Sequence, residues 1–299
     1  MAHFSALAPL LLCLAVPSTA MSGPTAKEVE VNGVRLQYVE QGSGEPIVFV
    51  HGAFSDLRVW EPIREDIAKK YRFIAYTQRY FGTDPWPDDG KNFNIATHAD
   101  DLAKFITSLD AGPVHLVTRS RGGVVAMAAA LKNPALVRTL TLHEPFFLSM
   151  LPADSAEGKV ARENRNKYVG PAVAAAKAGE SIQAVRLFFE GEYQLGSGGF
   201  DRLPQATQTM LLDNARTAPL LFGSPPPQPI TCDMLKTLNR PTLVTQGEKT
   251  HAANKLINEG VSKCVPGARQ VAFPNLVHDA PSRNPAAFTA AVFEFLSKP

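Results

Sequence analysis

The chain has 299 residues, 45% of them hydrophobic and 19% charged, and its 30 Lys+Arg against 28 Asp+Glu leave a formal net charge of +2. These proportions exclude a disordered or collagen-like chain and call for a packed core in one large domain or two smaller ones. A near-neutral balance without basic runs offers no attraction for phosphate backbones or anionic lipid, so nucleic acid is not an expected partner.

Phe4 to Val16 is almost continuously apolar and is followed by Pro17-Ser18-Thr19-Ala20. The pattern is that of a secretory signal peptide over residues 1–20, cut after Ala20, and the run falls short of the roughly 20 residues that a spanning helix needs. No membrane span is expected, and the mature chain is expected outside the cytoplasm, secreted or periplasmic. No Lys or Arg precedes the apolar run, and Met21 is an alternative start that would leave the protein cytoplasmic. Cys13 would depart with the signal. Cys232 and Cys264 then form either a disulfide in an exported chain or two small buried side chains. Neither has a second Cys or a His at zinc-finger spacing, so no metal is expected.

From about residue 27, short β-rich runs alternate with helical patterns, which predicts an α/β fold with a mostly parallel sheet flanked by helices. Val29–Val31 and Val34–Val39 flank Asn32-Gly33, the dipeptide suited to a type I′ hairpin turn. Ile47–Val50, an unbroken apolar run between Pro46 and His51-Gly52, reads as a strand buried on both faces, and Phe73–Tyr76 as a second. Ile95, Ala99, Leu102, Ile106 and Leu109 recur at helical spacing, with Gly112-Pro113 beyond them. A strand (Val114–Val117), a small-residue helix (Arg121–Leu131) and another strand (Val137–Leu142) follow.

Between Phe146 and Pro229 the pattern turns helical, with stretches at Ala172–Ala176, Ile182–Glu190 and Ala206–Ala215 and no strand, closing on the proline-rich run Gly223–Pro229. This is the expected cap, residues 146–229, inserted between core halves at 27–145 and 230–299. The second half supplies a strand (Thr242–Thr245), a helix (Ala252–Val261), a strand (Gln270–Phe273) and a last helix (Pro285–Leu296).

Ser120 stands in Val117-Thr118-Arg119-Ser120-Arg121-Gly122-Gly123, between a strand and a helix. The segment resembles the G-x-S-x-G nucleophile elbow of the α/β-hydrolase superfamily, in which a strained turn lifts a serine Oγ clear of the sheet at a helix N-terminus. The resemblance extends over residues 27 to 297 and implies an eight-stranded, mostly parallel sheet with an inserted helical cap. Thr118 departs from the pattern, where a glycine is usual, and some strain or a slightly opened elbow is expected there. The bland alternative for Ser120 is a helix N-cap.

A serine hydroxyl needs a base to accept its proton. The resemblance assigns His278, in Asn275-Leu276-Val277-His278-Asp279 between the last strand and the last helix. For the acid, the position three residues beyond Gly247 holds Thr250, so that common place is vacant. Leu142-His143-Glu144-Pro145 lies instead at the end of the sixth strand, and Glu144 follows Ser120 at a spacing similar to that in zearalenone lactonases and fluoroacetate dehalogenases. Glu144 is therefore the expected acid, with Glu248 or Asp279 as alternatives. His51-Gly52-Ala53-Phe54 resembles the family's oxyanion loop, which makes the N–H groups of Ala53 and Arg121 the expected donors, with His51 structural.

Tyr76-Thr77-Gln78-Arg79-Tyr80-Phe81-Gly82 occupies the place of a loop that braces the site in this family, with Thr77 replacing an Asp. Arg121 matches a residue that in fluoroacetate dehalogenases touches the substrate carboxylate, which implies a preference for an acidic ester or lactone; alternatively it pairs with a neighbouring acid. Phe54, Trp60, Phe146, Phe147 and Leu148 are candidate apolar lining. The expected activity is cofactor-free cleavage of a small carboxylic ester or lactone through an acyl-enzyme on Ser120. A carbon–carbon bond hydrolase with the same triad is one alternative, and a ligand-binding protein that has lost catalysis is the other.

Overall fold

The hairpin forms where the turn chemistry places it. In the computed structural model, which describes Met1, residues 25–224 and residues 229–298, β1 (Lys27–Val31) pairs antiparallel with β2 (Val34–Gln41). Asn32 and Gly33 take φ of 47° and 74°, the two positive values that a type I′ turn requires. The apolar stretch Phe4–Val16 with its expected cleavage point, and Pro225–Gln228 of the proline-rich run, lie outside the described residues.

The unbroken apolar runs become the sheet interior. β3 (Pro46–Val50) is buried along its whole length. Its side chains alternate: Ile47 and Phe49 join a cluster with Trp60, Ile63 and Phe288, while Val48 and Val50 join another with Leu102, Val125 and Ile257. β4 (Arg72–Tyr76), β5 (Val114–Arg119), β6 (Val137–His143), β7 (Thr242–Gly247) and β8 (Arg269–Phe273) complete eight strands in the order β1-β2-β4-β3-β5-β6-β7-β8. Only the contacts of β2 with β1 and β4 are antiparallel.

Helices α1 (Glu61–Ala68), α2 (Ile95–Ser108) and α3 (Arg121–Lys132) belong to the first half of the chain. Between β6 and β7 the described residues form α4 (Ala156–Lys177), α5 (Ser181–Glu192), α6 (Gln205–Asp213), α7 (Ala218–Gly223) and α8 (Cys232–Lys236), with no strand. α9 (Ala252–Cys264), α10 (Ala280–Arg283) and α11 (Pro285–Ser297) close the chain. α1 has no counterpart in the sequence pattern because two apolar residues one turn apart, Ile63 and Ile67, are its whole buried stripe. α4 begins sixteen residues before the alanine cluster at Ala172, through a charged stretch whose buried positions are widely spaced. Cys232 and Cys264 are joined as a disulfide that ties α8 to the end of α9, which decides between the two readings of that pair. No described helix is long and apolar enough to cross a membrane.

Strand order reverses between β3 and β5, so their C-terminal ends open onto a crevice at the switch point, where open α/β sheets bind ligands. Gly52-Ala53 and Ser120 are the residues at those two ends.

Candidate active site

Ser120 follows β5 directly and precedes α3, with φ 52° and ψ −125°. That backbone is costly for a residue with a Cβ and persists only where the surroundings impose it. The N–H of Ser120 is tied to the His143 carbonyl at 2.8 Å. Glycines let α3 close in: a Cβ on Gly122 would lie 2.4 Å from the carbonyl oxygens of Val50 and His51, and one on Gly123 2.8 Å from the Pro145 Cβ. The Ser120 side chain makes no capping bond, contrary to the N-cap reading. Thr118 is accommodated beside the turn. It is fully buried, its hydroxyl donates to the Thr141 carbonyl at 3.1 Å, and Gly123 leaves the space it needs.

His278 sits between β8 and α10, and its Nδ1 faces Glu144 Oε2 at 2.7 Å. Glu144 is the first residue after β6 and also has positive φ, 44°. Its Oε1 accepts from the Gly247 N–H at 2.8 Å; its Oε2 also accepts from Thr250 Oγ1 and Asn254 Nδ2, each at 2.7 Å. Burial opposes ionisation of Glu144, but the charge and hydrogen bond of His278 with the Gly247 N–H outweigh it and hold the carboxyl at about 2. Burial likewise works against the His278 imidazolium, and the charges of Glu192 and Glu144 overcome it, so the imidazole is raised above its ordinary value. The alternative acids are engaged elsewhere: Glu248 accepts from the Asn275 N–H, and Asp279 pairs with Arg283. Ser120 and His278 line one small cavity beneath Phe188 and Tyr193.

His143, Glu144 and His278 bring three metal-capable side chains together, and the atoms they turn toward one another already hold hydrogen-bond partners. His143 Nε2 must donate to the His278 carbonyl at 3.1 Å, so its Nδ1 accepts from Thr245 Oγ1 at 3.0 Å, while Glu144 carries four donors.

The N–H groups of Ala53 and Arg121 make no backbone hydrogen bond among the described residues, and both residues line the same chamber as Ser120. His51 holds the loop. Its Nε2 accepts from the Gln78 N–H at 2.9 Å and its Nδ1 donates to the Gly52 carbonyl at 2.9 Å, with burial holding it neutral at about 4. Arg79 binds Asp101 through two hydrogen bonds of 2.7 and 2.8 Å, bracing the β4 loop on α2.

The chamber has a volume of about 520 Å³ and is bounded by Phe54, Phe146, Phe147, Leu148 and Phe188. Trp60, an expected lining residue, packs instead on Phe49 and Phe288 in the core, because α1 turns it under the sheet. Arg121 reaches the chamber without a carboxylate partner among the described residues. Its guanidinium donates to Gln78 Oε1 and His98 Nδ1 and lies over the Phe93 and Phe81 rings, 4.7 and 5.7 Å from their centroids. Burial lowers its pKa from 12.5 to about 9, opposed only by Tyr76. The expected alternative, pairing with a neighbouring acid, is not what the side chain does.

The sequence model described as "alpha/beta hydrolase fold" matches residues 45–282. The chain belongs to the alpha/beta hydrolase fold family. A 2-(acetamidomethylene)succinate hydrolase from Mesorhizobium japonicum is 26% identical over 281 residues, covering 91% of this chain and 95% of that one. Among solved structures, a thermophilic esterase from Thermogutta terrifontis with malate bound is 26% identical at TM-score 0.66, covering 92% of this chain and 98% of that one. Est816, described as an N-acyl homoserine lactone degrading enzyme, shares the fold at TM-score 0.70 and 22% identity, covering 90% and 100%. This alpha/beta hydrolase thus has hydrolases, esterases and a lactone-degrading enzyme as its relatives and neighbours.

Three residues of the candidate site escaped sequence reading. Thr250, which marked a vacant acid position, donates to Glu144, and Asn254 joins it from the first turn of α9. That i, i+4 pair beside the vacant position was a usable signal. Glu192 lies at the end of α5, and its Oε1 stands 3.6 Å from His278 Nδ1. Only tertiary packing brings it there, since Gly191 permits α5 to press on α4: a Cβ there would be 2.3 Å from the Tyr168 carbonyl.

Proposed function

We propose that this alpha/beta hydrolase cleaves a small carboxylic ester or lactone through an acyl-enzyme on Ser120. The observation that carries the reading is the convergence of the strained Ser120, the His278–Glu144 pair at 2.7 Å and a shared cavity between serine and imidazole. His278 takes the Ser120 proton as Oγ attacks the carbonyl carbon. Glu144 fixes the tautomer with the proton on Nδ1 and stabilises the imidazolium. The Ala53 and Arg121 N–H groups receive the developing oxyanion. His278 then returns the proton to the leaving alkoxide, and a water activated by the same imidazole releases the acid. The esterase and lactone-degrading neighbours agree with this chemistry. The test is labelling with a fluorophosphonate. Rapid modification of the wild type and none of Ser120→Ala, which also loses ester turnover, supports the mechanism; turnover retained in Ser120→Ala ends it. A folded chain that never labels points instead to a binding role.

A substrate bearing a carboxylate is favoured by Arg121, a cation beside Ser120 with neutral partners alone. The succinate in the name of one relative and the malate bound to another are both dicarboxylates, which supports the same substrate class. The Cys232–Cys264 disulfide supports a site of action outside the cytoplasm, in keeping with removal of residues 1–20.

A further inference from the structure

His278 is faced by a second buried carboxylate. Glu192 is 3% exposed, comes from α5 in the insertion, and has no basic side chain within ion-pair distance among the described residues other than His278. Asn254 holds the two acids in place. Its amide nitrogen donates one hydrogen to Glu144 Oε2 at 2.7 Å and the other to Glu192 Oε1 at 3.0 Å, while its Oδ1 accepts from Tyr168 OH at 3.3 Å. The remaining groups around the imidazole are His143, whose ring centroid is 5.9 Å away, Tyr193 at 6.4 Å, Arg119 donating to the His278 carbonyl at 3.4 Å, and the adjacent Asp279, engaged by Arg283.

We propose that Glu192 is a positioning residue for ester cleavage, a second carboxylate that acts through His278 to stabilise the imidazolium formed when Ser120 gives up its proton. The inference rests on the reading of Ser120 as nucleophile. With a neutral imidazole, Glu144 and Glu192 are two negative charges in a water-poor site, both facing Nδ1 of the His278 ring. Proton transfer from Ser120 to Nε2 gives the ring a positive charge that both carboxylates face and offsets their repulsion, so the step is favoured more than one carboxylate alone would favour it. Glu144 retains the directed hydrogen bond at 2.7 Å and so sets the tautomer. Glu192, at 3.6 Å and without an aligned bond, contributes charge. A purely structural Glu192 would hold Asn254 and leave the ionisation of His278 unmoved.

The experiment is the pH dependence of Ser120 modification by a fluorophosphonate, which needs no knowledge of the natural substrate. The rate rises as His278 loses its proton, so in the wild type the acidic limb is expected above the ordinary histidine value of about 6.5. In Glu192→Gln the limb moves about one pH unit lower and the plateau rate falls about tenfold. Glu192→Asp, which restores the charge, returns the limb toward the wild-type position. Glu144→Gln keeps a rate at least about tenfold above that of E144Q/E192Q, because one carboxylate still faces the ring. An unmoved limb in a folded E192Q, or equal rates in E144Q and the double variant, overturns the inference while leaving Ser120 as nucleophile. Should E192Q not fold, a wild-type limb below about 6.5 overturns it equally. A wild type that is not labelled at all removes the nucleophile reading and the inference with it.

Discussion

Replacing Arg121 by methionine separates the charge of that residue from its backbone. The variant keeps the N–H assigned to the oxyanion and a side chain of comparable length, and removes only the guanidinium. Burial has moved the Arg121 pKa from 12.5 to about 9. At 1.36 kcal/mol for each pH unit, holding the cation in the unliganded chamber costs on the order of 5 kcal/mol. Relaxation and water reaching the chamber reduce what a measurement recovers, and replacements of buried charges by apolar groups of similar volume gain about 1–4 kcal/mol. Arg121→Met is therefore expected to be more stable than the wild type by about 1–3 kcal/mol in urea unfolding. Its selectivity should change in the opposite sense. Removing one partner of a charge pair formed with a substrate carboxylate costs about 2–4 kcal/mol, so kcat/KM for an acidic nitrophenyl ester falls about 30- to 1000-fold relative to its neutral analogue. A variant less stable than the wild type refutes the electrostatic argument, and an unchanged ratio of the two esters refutes the carboxylate site.

Gly122→Ala sets a Cβ 2.4 Å from two backbone carbonyls, and a loss of about 3 kcal/mol or more in unfolding free energy is expected; a mild effect would mean that α3 can retreat from β3. Opening the disulfide in C232S/C264S frees a loop spanning a sequence separation of 32 and should cost about 3–4 kcal/mol, read as a lower midpoint in urea than the oxidised wild type. Acid should unfold the protein in a defined window. Folding holds Glu144 at about 2 against 4.5, a contribution complete above about 4.5 and lost as pH falls toward 2. His51 and His143, kept neutral by burial at about 4 and about 3, add stability that declines from about pH 6.5 downward, while the raised His278 opposes them over the neutral range. Urea midpoints that stay level from pH 7 to pH 4 would contradict this assignment.

How much of this was legible in the sequence depended on the range of the interactions involved. The hairpin, β3 and the β5-elbow-α3 unit are local: turn dipeptide, apolar run and glycine spacing each determine them within about ten residues. α1 was invisible because a helix with two buried apolar residues has no period to detect. The placement of Ser120, His278 and Glu144 could be anticipated because each sits at the C-terminal end of a strand or just beyond it, a location that topology and family resemblance mark together. Glu192 and Asn254 could not, since their roles arise from α5 and α9 packing on the loops after β6 and β8, contacts between residues as much as 110 positions apart. Trp60 misled because a large apolar residue near the Gly52 loop fits core and chamber equally until α1 is placed.

The backbone shows a division of labour between the two parts of the chain. Phe54, Tyr80, Ser120 and Glu144 are non-glycine residues at positive φ, and each follows the C-terminal end of a strand, in turn β3, β4, β5 and β6. The hydrogen-bonded strands supply the rigidity that keeps these costly turns in place, as in the tie from the Ser120 N–H to the His143 carbonyl and from the Glu144 N–H to the Thr245 carbonyl. The candidate site residues set on strand ends are therefore held by the sheet itself. Glu192, Phe188 and the Phe146–Leu148 wall come instead from the helical segment between β6 and β7, whose described residues add no strand to the sheet. Changes in α4 and α5 should consequently alter which ester is accepted, and the imidazole ionisation through Glu192, without disturbing the Ser120 turn. Exchanging Phe146 for leucine tests that separation: altered preference among acyl groups with an unchanged fluorophosphonate rate is the expected result, whereas a parallel loss of both would show that this segment also supports the nucleophile.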